Sequence, residues 1–297
     1  MSEKPTVHGA VASGFGPVAD AFRRNFERHG EIGAAVAVYA GERPVVDLWA
    51  GFRDRGRTLP WEQDTIVPVF SSTKGMAAFT VAAAVAKGLL DYEQPVAKYW
   101  PEFAAHGKDT VTVRQLIDHQ AGLSGLGETV RLTQLADLDG LARILAEQKP
   151  AWRPGTRHGY HAITLGLYQG ELLRRVDPLG RTLGRIFAEE IAGPLGADFF
   201  IGLPAEQGMD RIATMSATRG VDVLRYERDL PLRIGAEIYA KRGLSYAALT
   251  NPRCGAPARA TRRAMLVVVL PGCHGVGNPP PRAQVLWAAA RPAPARA

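Results

Sequence analysis

The sequence predicts an α/β (α+β) layered fold: strands come first, a helical middle follows, and an extended segment returns near residue 200. Three observations carry that expectation. Val-, Ala- and Trp-rich runs separated by Gly and Pro fill the first third of the chain. Apolar residues then recur at helical spacing. The 297 residues, 46% hydrophobic and 22% charged, are enough for one large domain or two small ones with a substantial core. This composition argues against disorder, and no window approaches the ~18 consecutive apolar residues of a membrane span. A collagen, a membrane channel and a disulfide-knotted secreted scaffold are excluded.

The elements follow in order. Pro17 to His29 places Val18, Phe22 and Phe26 on one helical face, with Gly30 as a stop. Gly33 to Tyr39 and Val45 to Phe52, joined by Gly41-Glu42-Arg43-Pro44, predict a β-hairpin. Asp64 to Phe70 is extended and leads through Ser71-Ser72-Thr73-Lys74-Gly75 into an apolar run from Met76 to Ala86. That run is too short for a bilayer and predicts a buried central helix. Thr112 and Gln115 have the spacing of a capping box opening a short helix through Ile117. Leu138 to Gln148, Ala162 to Arg175 and Arg181 to Ile191 continue the helical middle, and Ala197 to Gly202 turns extended. Beyond Glu237 the pattern decays, with Met265 to Leu270 as one further candidate strand.

The charge is unevenly distributed. Residues 251–297 hold seven arginines, no lysine and no acidic residue, so removing them from a net charge of +7 leaves residues 1–250 neutral. The same stretch holds both cysteines, Cys254 and Cys273, and eight of the 21 prolines. It reads as a basic Pro/Ala/Arg-rich segment, solvated or frame-altered, following a domain at 1–250. A basic arm for nucleic acid would interleave aromatic residues with the charge, and Trp287 stands alone, so no nucleic-acid partner is expected. Two cysteines make no disulfide framework, and Met1 to Asp20 lacks the apolar core of a secretory signal. The expectation is a cytoplasmic protein without a membrane partner; the oligomeric state is not legible.

Ser71 and Lys74 stand at i, i+3 where a helix begins, which puts both side chains on one face. An ordinary lysine is protonated at neutral pH, whereas burial and the positive end of a helix both favour a neutral amine. Such an amine would take the proton of Ser71, making a Ser–Lys nucleophile, and the Ser71 backbone N–H would face a developing oxyanion. Ser-x-x-Lys also arises by chance about once in a chain of this length. Its context between an extended run and an apolar helix is what singles it out. Tyr160 follows a Pro154-Gly155 turn and, near Lys74, would pass protons as base and then acid. The plainer alternative is a tyrosine packing its ring beside a turn. His158 and His161, without an acidic neighbour, are weak metal ligands, and His119 is expected to be structural. No phosphate loop, zinc spacing or dinucleotide fingerprint is present, so no cofactor or metal is expected.

Val69-Phe70-Ser71-Ser72-Thr73-Lys74-Gly75, Leu116-Ile117-Asp118-His119-Gln120-Ala121-Gly122-Leu123 and Pro154-Gly155-Thr156 through Gly159-Tyr160-His161 occur in that order. Together they resemble the serine β-lactamase and penicillin-binding-protein superfamily, in its class C-like branch that includes family VIII carboxylesterases. The resemblance covers about residues 7–240. It implies an antiparallel sheet flanked by helices, an all-helical subdomain at roughly 90–195, and a site between them. It further implies a serine hydrolase working through an acyl-enzyme, with Ser71 as nucleophile and Lys74 and Tyr160 relaying the proton. The implied substrate is a small ester or amide, with carboxylesterase activity and weak or no β-lactamase activity. Two departures stand out. The family often has Tyr-x-Asn, and here Ala162 stands in the third position. The family's late strand motif, of the Lys-Thr-Gly type, has two imperfect counterparts, Lys241-Arg242-Gly243 and His274-Gly275-Val276-Gly277. Loss of that motif would leave an impaired scaffold, and a C-terminus truncated or read out of frame from around Cys254 would account for it.

Overall fold

The Gly41–Pro44 turn closes a hairpin at one side of the first sheet. In the computed structural model, which describes residues 5–215, 240, 243–252 and 261–279, strands β1 (Val7–Val11), β2 (Gly33–Ala40) and β3 (Arg43–Gly51) lie antiparallel in the order β1-β3-β2. Gly41 takes φ +63°, a conformation open to glycine at no steric cost, which lets a two-residue connection join Ala40 to Arg43. Helix α1 (Gly16–Arg28) lays Ala19 and Phe22 against Val46, Leu48 and Ala50, the alternate residues of β3 that share one face.

A second sheet, β4 (Val67–Pro68), β5 (Phe199–Ile201) and β6 (Gly275–Gly277), has the order β4-β6-β5, also antiparallel. The extended stretch before Ser71 contributes only two residues to it. Pro68 has no N–H to extend the ladder, and Phe70 leaves the strand region with φ +46°.

From Thr73 to Ala192 the chain forms helices, 3₁₀ turns and loops. Helix α2 (Thr73–Ala86) packs on α5 (Thr164–Val176) and α6 (Leu183–Phe187), burying Met76, Ala77, Val81 and Ala84. The sequence pattern opens α3 (Val113–Ile117) as a capping box, and the box is present. The Thr112 hydroxyl accepts from the Gln115 N–H at 3.1 Å, and the Gln115 side-chain oxygen accepts from the Thr112 N–H at 3.1 Å. Helix α4 (Leu138–Glu147) starts at Asp137, whose carboxylate accepts from the Gly140 N–H. Trp100, Phe103 and Tyr168 form the centre of this core, their ring centroids 5.4–6.2 Å apart.

Lys108 is buried completely in this helical region. Its ammonium donates to the carbonyls of Ala105, Ala146 and Gln148 at 2.7, 2.8 and 2.8 Å, joining a loop to the C-terminal end of α4. Burial pushes its amine down to about 8 from the usual 10.5.

Residues 261–279, beyond the boundary drawn by composition, bury Met265, Leu266, Leu270 and Val276. The candidate strand at Met265 to Leu270 is not a strand. Arg263–Leu266 makes a helical turn, α8, and irregular backbone follows. Met265 and Leu266 are adjacent and both buried, which an alternating strand facing one core cannot provide and a helical turn can. The short helix α7 (Leu244–Thr250) is held through Asn251, whose side-chain N–H groups donate to the carbonyls of Leu126 and Glu128.

Candidate active site

The turn into α2 is built from successive i→i+3 hydrogen bonds. Ser72 N–H donates to the Val69 carbonyl, Thr73 to Phe70, Lys74 to Ser71 and Gly75 to Ser72, at 2.9–3.3 Å. This pattern leaves the Ser71 N–H without a protein acceptor among the described residues, at the positive end of a 14-residue helix. Ser71 is exposed and Lys74 is half-buried.

The Lys74 amine lies 3.1 Å from Ser71 Oγ. It donates to the Ala162 carbonyl at 2.5 Å and to the Gly272 carbonyl at 2.6 Å. Three separate segments therefore converge on one nitrogen: the start of α2, the entry to α5 and the loop before β6. The carbonyl of Ala162 serves here, although its side chain cannot do what an asparagine would.

Tyr160 approaches differently from what a simple proton-relay geometry requires. Its ring lies with its centroid 5.0 Å from Lys74 Nζ and is 52% exposed. Among the described residues its hydroxyl makes no hydrogen bond to Ser71 or Lys74. The structure thus brings Ser71 and Lys74 into contact, with Tyr160 beside them as a ring over the amine.

The histidines hold the Tyr160 loop. Buried His161 donates from Nδ1 to the Gly159 carbonyl at 2.5 Å, and its Nε2 accepts from the Leu123 N–H at 2.9 Å, which fixes a neutral tautomer. Burial pushes its imidazole down to about 4. His119 accepts at Nδ1 from the His161 N–H at 3.0 Å, and its ring lies 5.2 Å from that of Tyr160. Burial, and then the positive charge of Lys74, hold His119 below the usual imidazole range. His158 is exposed. Among the described residues no group of three or more His, Cys, Asp or Glu side chains is arranged to hold a metal ion, and no helix is long and apolar enough to cross a membrane.

Of the two candidate strand motifs, Lys241 and Arg242 lie outside the described residues, and Gly243 precedes α7. His274-Gly275-Val276-Gly277 does enter a strand, in the middle of the second sheet. Its Gly275 carbonyl accepts from Val69 N–H at 2.9 Å, and its Gly275 N–H donates to Thr73 Oγ1 at 2.8 Å. Both backbone groups of Gly275 are thus committed to the turn around Ser71, and its N–H is not free for an oxyanion. Sequence reasoning did not find the Ala162 and Gly272 carbonyls, because a backbone acceptor carries no side-chain signal. Thr73, by contrast, stood in view inside the motif.

A serine and a lysine in contact at the start of a buried helix, between a small antiparallel sheet and a helical region, define a Ser-x-x-Lys site. The chain belongs to the β-lactamase family, whose model matches residues 18–270. It is 42% identical over 211 residues to the esterase/beta-lactamase LipL of Mycobacterium tuberculosis, covering 70% of this chain and 48% of that protein. A family VIII carboxylesterase structure matches with a TM-score of 0.78 and 41% identity, over 92% of this chain and 68% of that one. A penicillin-binding protein homologue from Caulobacter crescentus matches with a TM-score of 0.77 and 36% identity, over 95% and 70%. The antiparallel sheets with helices are thus those of the β-lactamase/transpeptidase-like fold. The chain spans about half the length of the curated relatives it matches.

Proposed function

We propose that the protein is a serine hydrolase that cleaves small carboxylic esters through an acyl-enzyme on Ser71. The observation that carries this reading is the set of three groups around Lys74 Nζ. A neutral amine has two hydrogens and one lone pair. The carbonyls of Ala162 and Gly272 take the hydrogens, and the lone pair is left for the Ser71 hydroxyl proton. Once that proton has moved, the ammonium has three hydrogens and three acceptors, so the same cage suits both states.

In acylation the Ser71 Oγ–carbon bond forms and the serine proton passes to Lys74. The Ser71 N–H stabilises the oxyanion, and the proton is then delivered to the leaving alcohol as its bond to the acyl carbon breaks. The Tyr160 ring stands over the amine. The family resemblance gives its hydroxyl the proton relay between Lys74 and the leaving group, and later from water, a role that requires the hydroxyl to turn toward Ser71 and Lys74 from where it now stands. Water attacks the acyl carbon, the carboxylic acid leaves and Ser71 regains its proton. No cofactor takes part in this scheme. The carboxylesterase resemblance and Ala162 in place of a polar side chain support esters over β-lactams.

A second reading, a catalytically impaired scaffold in which an oxyanion donor is missing, is favoured by the commitment of Gly275 N–H to Thr73. One missing oxyanion donor typically costs about 10²–10³ in rate. A panel of short-chain p-nitrophenyl esters beside a chromogenic cephalosporin separates the readings. Ester turnover that Ser71→Ala lowers by at least about 10³-fold supports the hydrolase. Turnover unchanged in Ser71→Ala removes it, and slow ester turnover with stoichiometric acylation supports the impaired scaffold.

A further inference from the structure

Thr73 is fully buried at the first position of α2, between the two residues of the Ser–Lys pair. Its hydroxyl has two partners from different parts of the chain. It donates to the Phe70 carbonyl at 2.5 Å and accepts from the Gly275 N–H at 2.8 Å. Both partners matter for Ser71. Phe70 immediately precedes it and has φ +46°, a conformation that costs a non-glycine residue energy and persists only where surrounding contacts impose it. Gly275 lies three residues after Gly272, whose carbonyl holds Lys74. The approach is close: a Cβ on Gly275 would lie 2.5 Å from Thr73 Oγ1, so only glycine fits at that point.

We infer that Thr73 is a positioning residue whose hydroxyl locks the Phe70–Ser71 turn to β6, and so sets the Ser71 hydroxyl and the Gly272 carbonyl around the same lysine nitrogen. Its hydroxyl hydrogen fixes the strained peptide before the nucleophile, and its lone pair fixes the strand whose loop completes the lysine cage. This inference rests on Ser71 being the nucleophile.

Substitutions separate the hydroxyl from the packing. Thr73→Val keeps the volume and removes the hydroxyl, whereas Thr73→Ser keeps the hydroxyl and removes a methyl. Rates of covalent labelling by a fluorophosphonate, followed by intact-protein mass, are measured for each and for the wild type. The expected result is labelling at least tenfold slower in Thr73→Val and within about threefold of wild type in Thr73→Ser. Should Thr73→Val lose its native circular dichroism, Thr73→Ala against Thr73→Ser makes the same comparison, since both lack the methyl and only one has the hydroxyl. A wild-type rate in Thr73→Val, or equal slowing in the serine and alanine variants, overturns the positioning role while leaving Ser71 as nucleophile. No adduct on the wild-type protein removes the reading of Ser71 itself, and this inference with it.

Discussion

Two lysines in this molecule are each held by backbone carbonyls, and the difference between them is the difference between a structural ammonium and the amine we propose as the base for Ser71. Lys108 gives all its hydrogens to three carbonyls in the helical region. Lys74 gives two hydrogens to carbonyls, and its third neighbour is the Ser71 hydroxyl. In the proposed mechanism, the hydroxyl that stands where Lys108 has a third carbonyl is the group that exchanges a proton with Lys74. The two differ in exposure as well. Lys108 is sealed, whereas Lys74 is half-buried, with the Tyr160 ring beside it.

Exchanging each lysine for methionine separates the two roles. Lys74→Met is expected to lower kcat/KM for an ester by at least about 10²–10³-fold, with a modest loss of stability from the two carbonyls left unpaired. Lys108→Met is expected to cost about 2–4 kcal/mol in urea unfolding, leaving ester turnover per folded molecule unchanged. If Lys108→Met lowers turnover as strongly as Lys74→Met, the division between the two sites is wrong.

A smaller effect comes from pH. His161 has a folded-state value of about 4 against an ordinary 6.5, so between these values the unfolded chain binds a proton that the folded protein does not. Stability contributed by neutral His161 is therefore complete above 6.5 and lost as pH falls toward 4. Lowering the pH from about 7 to about 5 is expected to cost on the order of 2 kcal/mol, and His161→Gln should flatten that dependence. Urea midpoints at the two pH values test it; an equal slope in the variant contradicts the assignment. The smallest expected effect is Thr112→Ala, which removes half of the α3 capping box near the Lys108 corner. It should cost about 1 kcal/mol in thermal or urea unfolding without changing ester turnover.

What was legible in the chain follows from the range of the interactions involved. The hairpin turn, the Thr112–Gln115 box and the Ser71–Lys74 pair are local patterns, at separations of three or four residues, and the structure contains all three contacts. Lys108 sits in a stretch, Ala105-His106-Gly107-Lys108-Asp109, that carries no run of apolar residues; its burial depends on α4, some 38 residues away. The Gly272 carbonyl reaches Lys74 from 198 positions away, and composition set that segment apart from the folded body. Met265 to Leu270 misleads for a related reason: three consecutive valines favour a strand, but two adjacent buried residues before them require a helical turn.

In the proposed mechanism the Lys74 cage activates Ser71. Intact-protein mass after exposure to a fluorophosphonate, with wild type, Lys74→Met and Ser71→Ala side by side, tests it most directly. A single adduct is expected on the wild type, a greatly delayed one on Lys74→Met and none on Ser71→Ala. An adduct of undiminished rate on Ser71→Ala, or equal rates on wild type and Lys74→Met, would contradict it.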